Sequence, residues 1–138
     1  MSTEQITALA NRIVEGINQK DLSVLDEAIA ADAVDHAVPP GMPQSRETAK
    51  QFLGMLLAAF PDFHYTTEFT VAEGDRVAQR LSASGTMQGE FMGMPPTGKH
   101  ATWTETHVSR FANGKFVEHW ASIDQVGMLQ QLSLMPSG

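Results

Sequence analysis

The sequence predicts an α+β fold with three N-terminal helices packed on a curved antiparallel sheet. Three observations carry that expectation. Apolar residues recur with helical spacing through the first 60 positions, the period changes from 3.6 to 2 after Pro61, and a strong hairpin turn, Asn113-Gly114, lies inside the alternating region. Helices lying on one face of a strongly curved sheet make a cone whose interior need not be filled, which leaves an apolar pocket.

The first helix is marked by Ile6, Leu9, Ala10, Ile13, Val14 and Ile17, with Ser2 and Gln5 at capping-box spacing. A short second helix is expected to open at Asp21 as N-cap and to bury Leu22, Leu25 and Ile29. Residues 33–38 read as a short extended piece stopped by Pro39-Pro40-Gly41. A third helix opens at Ser45, places Ala49, Phe52, Leu53, Leu56 and Phe60 on one face, and ends at Pro61, because the residue before proline is pushed out of the α region. Strands follow at 63–72 and 76–88 around the turn Glu73-Gly74-Asp75, and at 100–111 and 116–124 around Asn113-Gly114. A loop spans 89–98, a closing helix runs from about Gln125 through Leu132, and the Met-Pro-Ser-Gly tail is expected to fray.

At 138 residues the chain fits one domain, 1–138, long enough to bury a core without staples. It contains no cysteine, so disulfides and thiolate metal sites are excluded and a cytoplasmic home is expected. A net charge of −7 with nine scattered Lys and Arg residues offers no basic stripe for nucleic acid. No basic segment followed by an apolar run opens the chain, and no stretch approaches the ~18 apolar residues of a membrane span. The expected partner is a small hydrophobic molecule, with no nucleic acid and no membrane.

A two-residue turn at Asn113-Gly114 would set His107 opposite Trp120, Glu105 opposite Ser122 and Trp103 opposite Asp124. Strand alternation would then gather Trp103, Glu105, His107, Trp120, Ser122 and Asp124 on one face, an arrangement that suits a pocket. The opposite face, with Thr102, Thr104, Thr106, Val108, Arg110, Val117, His119, Ala121 and Ile123, would serve as a subunit contact in a homo-oligomer, either dimer or tetramer. Along this hairpin His107 and Asp124 would stand about 13 Å apart, too far for a direct dyad.

Asp124 has two readings, an N-cap of the closing helix or a pocket general acid/base flanked by tryptophan rings. His107 is a buried hydrogen-bonded histidine or a catalytic one. His36, in Val34-Asp35-His36, lines a pocket mouth or the surface, while His64, His100 and His119 read as structural or exposed. Mid-strand Arg80 is an ion-pair partner for Glu68 or Glu105, or a substrate anchor. The single tyrosine, Tyr65, falls on a different strand and leaves few hydroxyl donors for an enolate. The five histidines show no close metal-ligand spacing. No lysine sits where a Schiff base would form, no serine lies in a G-x-S-x-G context, and no glycine-rich phosphate loop is present.

The run from Gly89 to Lys99, GEFMGMPPTGK, resembles the signature loop of SnoaL-like polyketide cyclases. Residues 111–132, FANGKFVEHWASIDQVGMLQQL, are similar to that family's C-terminal hairpin and helix. Val34-Asp35-His36, Ala59-Phe60-Pro61-Asp62 and the run 71–78 match in order. The resemblance implies the cone fold of the nuclear transport factor 2-like superfamily and a cofactor-free, metal-free intramolecular aldol condensation of aromatic polyketide esters. It implies Asp124 and His107 as catalytic residues, with His36 near the mouth; Trp103, Glu105, Trp120, Arg80 and Phe60 complete the expected substrate-binding set. Two alternatives remain open at this point: a non-catalytic binder of a hydrophobic metabolite, and a related isomerase, dehydratase or epoxide hydrolase. Epoxide opening would want an Asp-Arg-Asp cluster centred on Arg80.

Overall fold

Ser2 and Gln5 cap the first helix reciprocally: the Gln5 amide donates to Ser2 Oγ at 3.1 Å and the Ser2 amide to Gln5 Oε1 at 2.8 Å. With that start, α1 (Thr3–Asn18) buries Ile6, Ala10 and Ile17. The computed structural model describes residues 1–136, so the last two residues of the predicted tail lie outside it. Helix α2 (Ser23–Ala28) starts one residue later than the sequence suggests, with Leu22 at the N-cap and Asp21 Oδ1 accepting from the Ser23 amide at 3.2 Å. Ile29, expected on its buried stripe, is the first residue of β1 (Ile29–Asp35), at φ −104° and ψ 130°. Pairing with a neighbouring strand satisfies more backbone groups there than another half-turn of a six-residue helix would. Ser45 caps α3 (Arg46–Ala59) as predicted, and fully buried Phe60 closes it.

The remaining elements are β2 (His64–Glu73), β3 (Arg76–Thr86), β4 (His100–Ala112), β5 (Lys115–Ile123) and α4 (Gln125–Gln131). The five strands form one sheet in the order β1-β5-β4-β3-β2. It is antiparallel except at its edge, where β1 runs parallel to β5. Helix α1 lies against β2 and β3, α3 against β1, and α4 against β4, so the helices cover the sheet's inner face. No described helix is long and apolar enough to cross a membrane.

Two apolar clusters pack between the helices and the sheet. Phe60, Phe63, Met87, Phe91, Trp103 and Leu132 belong to one; Ile6, Leu25, Val77, Phe111 and Phe116 belong to the other. The loop 89–98 enters the first cluster through Phe91, whose ring meets Phe60 edge-on at 5.4 Å. A Cβ on Gly85 would come within 2.9 Å of the Phe60 ring and 3.0 Å of its Cβ. Because Phe60 is enclosed, it cannot swing away. Gly85→Ala is therefore expected to destabilise the fold by about 1–3 kcal/mol, read as a lowered urea midpoint with unchanged slope.

The feature that decides the site is a bulge in the β4–β5 hairpin. Ala112 pairs with Lys115 and Phe111 with Phe116, as the turn predicts, but Arg110 pairs with Glu118. Val117 is the extra residue. A one-residue slip moves every following side chain of the strand to the other face. From there Ser109 faces His119, His107 faces Ala121 and Glu105 faces Ile123.

Candidate active site

Alternation along β4 sends Trp103, Glu105, His107 and Ser109 inward, and the bulge makes His119, Ala121 and Ile123 their inward neighbours on β5. Together with apolar side chains of α1 and α3, these residues line a cavity of about 330 Å³. That size is near the lower end for small-molecule sites, and the lining has the usual makeup of apolar walls with a few convergent polar groups. The polar groups are not scattered. Asp35 Oδ1 lies 2.9 Å from His119 Nδ1, His119 Nε2 lies 2.8 Å from His107 Nδ1, and His107 Nε2 lies 2.7 Å from Glu105 Oε1. The two imidazole planes differ by 16° with centroids 5.1 Å apart. With nitrogens in hydrogen-bond contact, this is an edge-to-edge pair rather than a face-to-face stack.

Glu105 is 3% exposed, which would be costly for a lone carboxylate. It is not alone. The Trp103 indole N–H donates to Oε2 at 2.7 Å and the Tyr65 hydroxyl to Oε1 at 2.8 Å. Burial pushes the Glu105 carboxyl up, but the hydrogen bonds from His107, Trp103 and Tyr65 outweigh it and hold the group below the ordinary glutamate range. Asp35 is likewise lowered: burial opposes ionisation, and His119, with the Ala37 amide, more than compensates. The Tyr65 phenol is pushed well up by burial and by the charge of Glu105, so it remains a donor.

A sequence model of the SnoaL-like polyketide cyclases matches residues 7–132. The chain belongs to this family. Among curated proteins it is similar to the nogalonic acid methyl ester cyclase of Streptomyces nogalater, 28% identical over 122 residues that cover 87% of this chain and 91% of that one. Among solved structures it is similar to AclR of Streptomyces galilaeus, proposed to be a hydroxylase, at 34% identity and a TM-score of 0.88, covering 98% and 100% of the two chains. It is also similar to IdmH of Streptomyces antibioticus, proposed to be a polyketide cyclase, at 40% identity and a TM-score of 0.82, covering 92% and 97%. The family and the α+β fold expected from the C-terminal motifs are thus found.

The SnoaL-like signature does not put every expected residue in the cavity. His107, Glu105 and Trp103 line it as expected. Asp124 does not: it is exposed, and its Oδ1 accepts from the Gly127 amide at 3.0 Å as the N-cap of α4. A Cβ on Gly127 would lie 2.3 Å from Asp124 Oδ2, so glycine at this position makes room for the capping carboxylate. The expected tryptophan-flanked setting of Asp124 fails because the bulge turns β5 over. For the same reason Trp120 faces outward, where its ring stacks on His36 at 5.2 Å and the Arg76 guanidinium sits over it at 5.5 Å. His36 is an exposed residue bonded to Glu118 at 2.7 Å and does not line the cavity. Arg80 lies on the outer sheet face, 3.6 Å from Glu68 and bonded to Thr106 at 3.1 Å, which removes the epoxide-type cluster. Phe60 packs beneath Trp103 in the core rather than on the cavity surface.

Three cavity residues, His119, Asp35 and Tyr65, are not marked by any local sequence signal. An ideal hairpin would turn His119 outward. Asp35 ends β1 and meets His119 in the cavity, while His36, in the turn that follows, stacks on the outward Trp120. Tyr65 sits on β2, yet it reaches Glu105 across the sheet curvature.

Proposed function

We propose that this protein is a SnoaL-like polyketide cyclase-type enzyme that performs cofactor-free, aldol-type acid/base chemistry on a hydrophobic carbonyl or ester substrate. The observation that carries this reading is the buried Glu105 carboxyl group in the wall of an apolar cavity, hydrogen-bonded to His107. Trp103 Nε1 and Tyr65 Oη fix its orientation and leave lone-pair capacity for a substrate proton. In this mechanism Glu105 takes a proton from a carbon held between two carbonyls. The enolate's electron pair forms the new C–C bond to an internal ketone, and the proton on Glu105 returns to the resulting alkoxide. The Ser109 hydroxyl, which lines the same wall, stabilises the oxyanion. The ester cyclase of S. nogalater supports the substrate class.

The test uses a hydrophobic β-keto ester as probe and follows deuterium exchange at its acidic carbon by NMR. Wild-type protein is expected to accelerate exchange well above the buffer rate, and binding without acceleration would overturn the enzyme reading in favour of a ligand carrier. Asp124→Asn is expected to leave the rate within a few-fold of wild type, whereas Asp124→Ala costs about 1 kcal/mol of stability through the lost cap. A collapse of exchange in Asp124→Asn would return the base role to that residue.

Oligomerisation belongs to the same proposal. Trp120, Val108, Ala78 and Val71 pair in register across β5, β4, β3 and β2, making one outward apolar row, and Val71 is 58% exposed with Phe69 beside it at 59%. We assign this face to a homodimer contact. Sedimentation should give a dimer for wild type and a monomer for Val71→Asp, and a monomeric wild type would remove the assignment.

A further inference from the structure

We infer that Asp35 and His119 share protons with His107 and Glu105 as a single titrating unit, which makes Asp35 and His119 positioning residues for the pocket's acid/base pair. This rests on the acid/base reading given above. Four groups are joined by three gaps of 2.9, 2.8 and 2.7 Å, and each gap needs a proton between its two heavy atoms. Suppose both imidazoles were neutral between two carboxylates. His119 would give its Nδ1 proton to Asp35 and His107 its Nε2 proton to Glu105, leaving two nitrogen lone pairs aimed at each other across 2.8 Å. That arrangement is repulsive, so a third proton occupies the central gap.

Three protons over four groups give the unit a net charge of −1 in every arrangement. With the extra proton on either imidazole, both carboxylates are ionised. With it on Glu105 or Asp35, both imidazoles are neutral and all three hydrogen bonds point the same way. Moving between these states needs only a short proton shift within each gap and no side-chain rotation. A proton taken up at Glu105 is therefore felt at Asp35, at the far end of the chain.

The rest of the cavity isolates the unit. From β1 comes Asp35, from β2 Tyr65, from β4 Glu105 and His107, and from β5 His119; these are the titratable groups that line the cavity. Helix α1 contributes alanine, isoleucine and valine to the wall, α3 alanine, phenylalanine and leucine, and α4 Gln125 and Met128. Arg110, Glu118 and His36 form their own cluster on the outer face. The far end is held in place: Asp35 Oδ1 accepts from the Ala37 amide at 2.8 Å, and the His119 carbonyl accepts from the His36 amide at 2.9 Å. Interacting groups of this kind titrate with midpoints that belong to the ensemble rather than to single residues.

The experiment is an NMR pH titration of the imidazole signals in the full-length protein, wild type and Asp35→Asn, with the backbone amide spectrum as the check on folding. In wild type the His107 and His119 rings are expected to follow common midpoints. In Asp35→Asn the His107 curve is expected to move by about one unit, tenfold in proton affinity, although Asp35 does not touch His107. Should Asp35→Asn fail to fold, His119→Gln takes its place, with the same readout at His107. Independent midpoints in wild type, or an unmoved His107 curve in the variant, would overturn the shared unit. The β-keto ester exchange assay separates the two readings. Exchange with independent titrations defeats the shared unit alone, and shared titration without exchange defeats the catalytic reading alone.

Discussion

Glu105→Gln is expected to slow exchange of the β-keto ester proton by about 10²–10⁴-fold while probe binding, followed by Trp103 fluorescence, stays close to wild type. The range is what a positioned acid/base contributes. Glutamine keeps the shape of the side chain, so the apolar walls contacting the probe are unchanged. Its amide oxygen can still accept from Tyr65 and His107. Its NH₂ group, however, faces the Trp103 indole N–H, and two donors cannot share a proton. One of them loses its partner, at about 1–3 kcal/mol for a buried group. That cost sets the control: the variant must be assayed below its unfolding range, and a rate loss accompanied by lost binding would indicate a collapsed pocket instead. A folded Glu105→Gln that exchanges at the wild-type rate would remove Glu105 as base.

The contrast between Glu105 and Asp124 shows which parts of this molecule the sequence makes legible. Period-2 alternation along β4 correctly places Trp103, Glu105 and His107 on one face, because a strand's alternation is a local property of the chain. The Asn113-Gly114 turn correctly fixes the first two pairs of the hairpin. What local signals do not show is Val117 bulging out, since that depends on how β5 must bend to meet both β4 and the parallel edge strand β1. Every inference beyond the bulge inherits its one-residue slip, so Trp120 and His119 exchange faces. The same limit applies to Asp35 and Tyr65, whose roles come from strand order and sheet curvature. Asp124 was legible in its structural reading: an aspartate three residues before a glycine amide, at a helix start, is an N-cap in form and in fact. The family motifs identify the family and the fold, whereas which side chains meet in the cavity follows from the sheet register.

His107→Leu is the substitution that most sharply separates a supported carboxylate from an unsupported one. Leucine fills much of the imidazole's volume but leaves Glu105 buried without its hydrogen-bonding partner, and truncating one member of such a pair typically costs about 3–5 kcal/mol. The pH dependence should change sign as well. In wild type the Glu105 carboxyl is held below its unfolded value of 4.5, and Asp35 below 3.8. Each therefore adds stability that is complete above those unfolded values and is lost as pH falls through the lower folded ones, because the unfolded chain binds more protons in that window. Without His107, burial acts on Glu105 with only Trp103 and Tyr65 to oppose it, and its folded carboxyl should rise above 4.5. The native state then binds more protons than the unfolded chain between 4.5 and the raised value, so stability should fall as pH increases through that interval. Urea midpoints measured from pH 3 to 7 should climb up to about pH 4.5 and then level off for wild type, but descend above pH 4.5 for His107→Leu, and parallel profiles would mean that His107 does not hold the charge on Glu105.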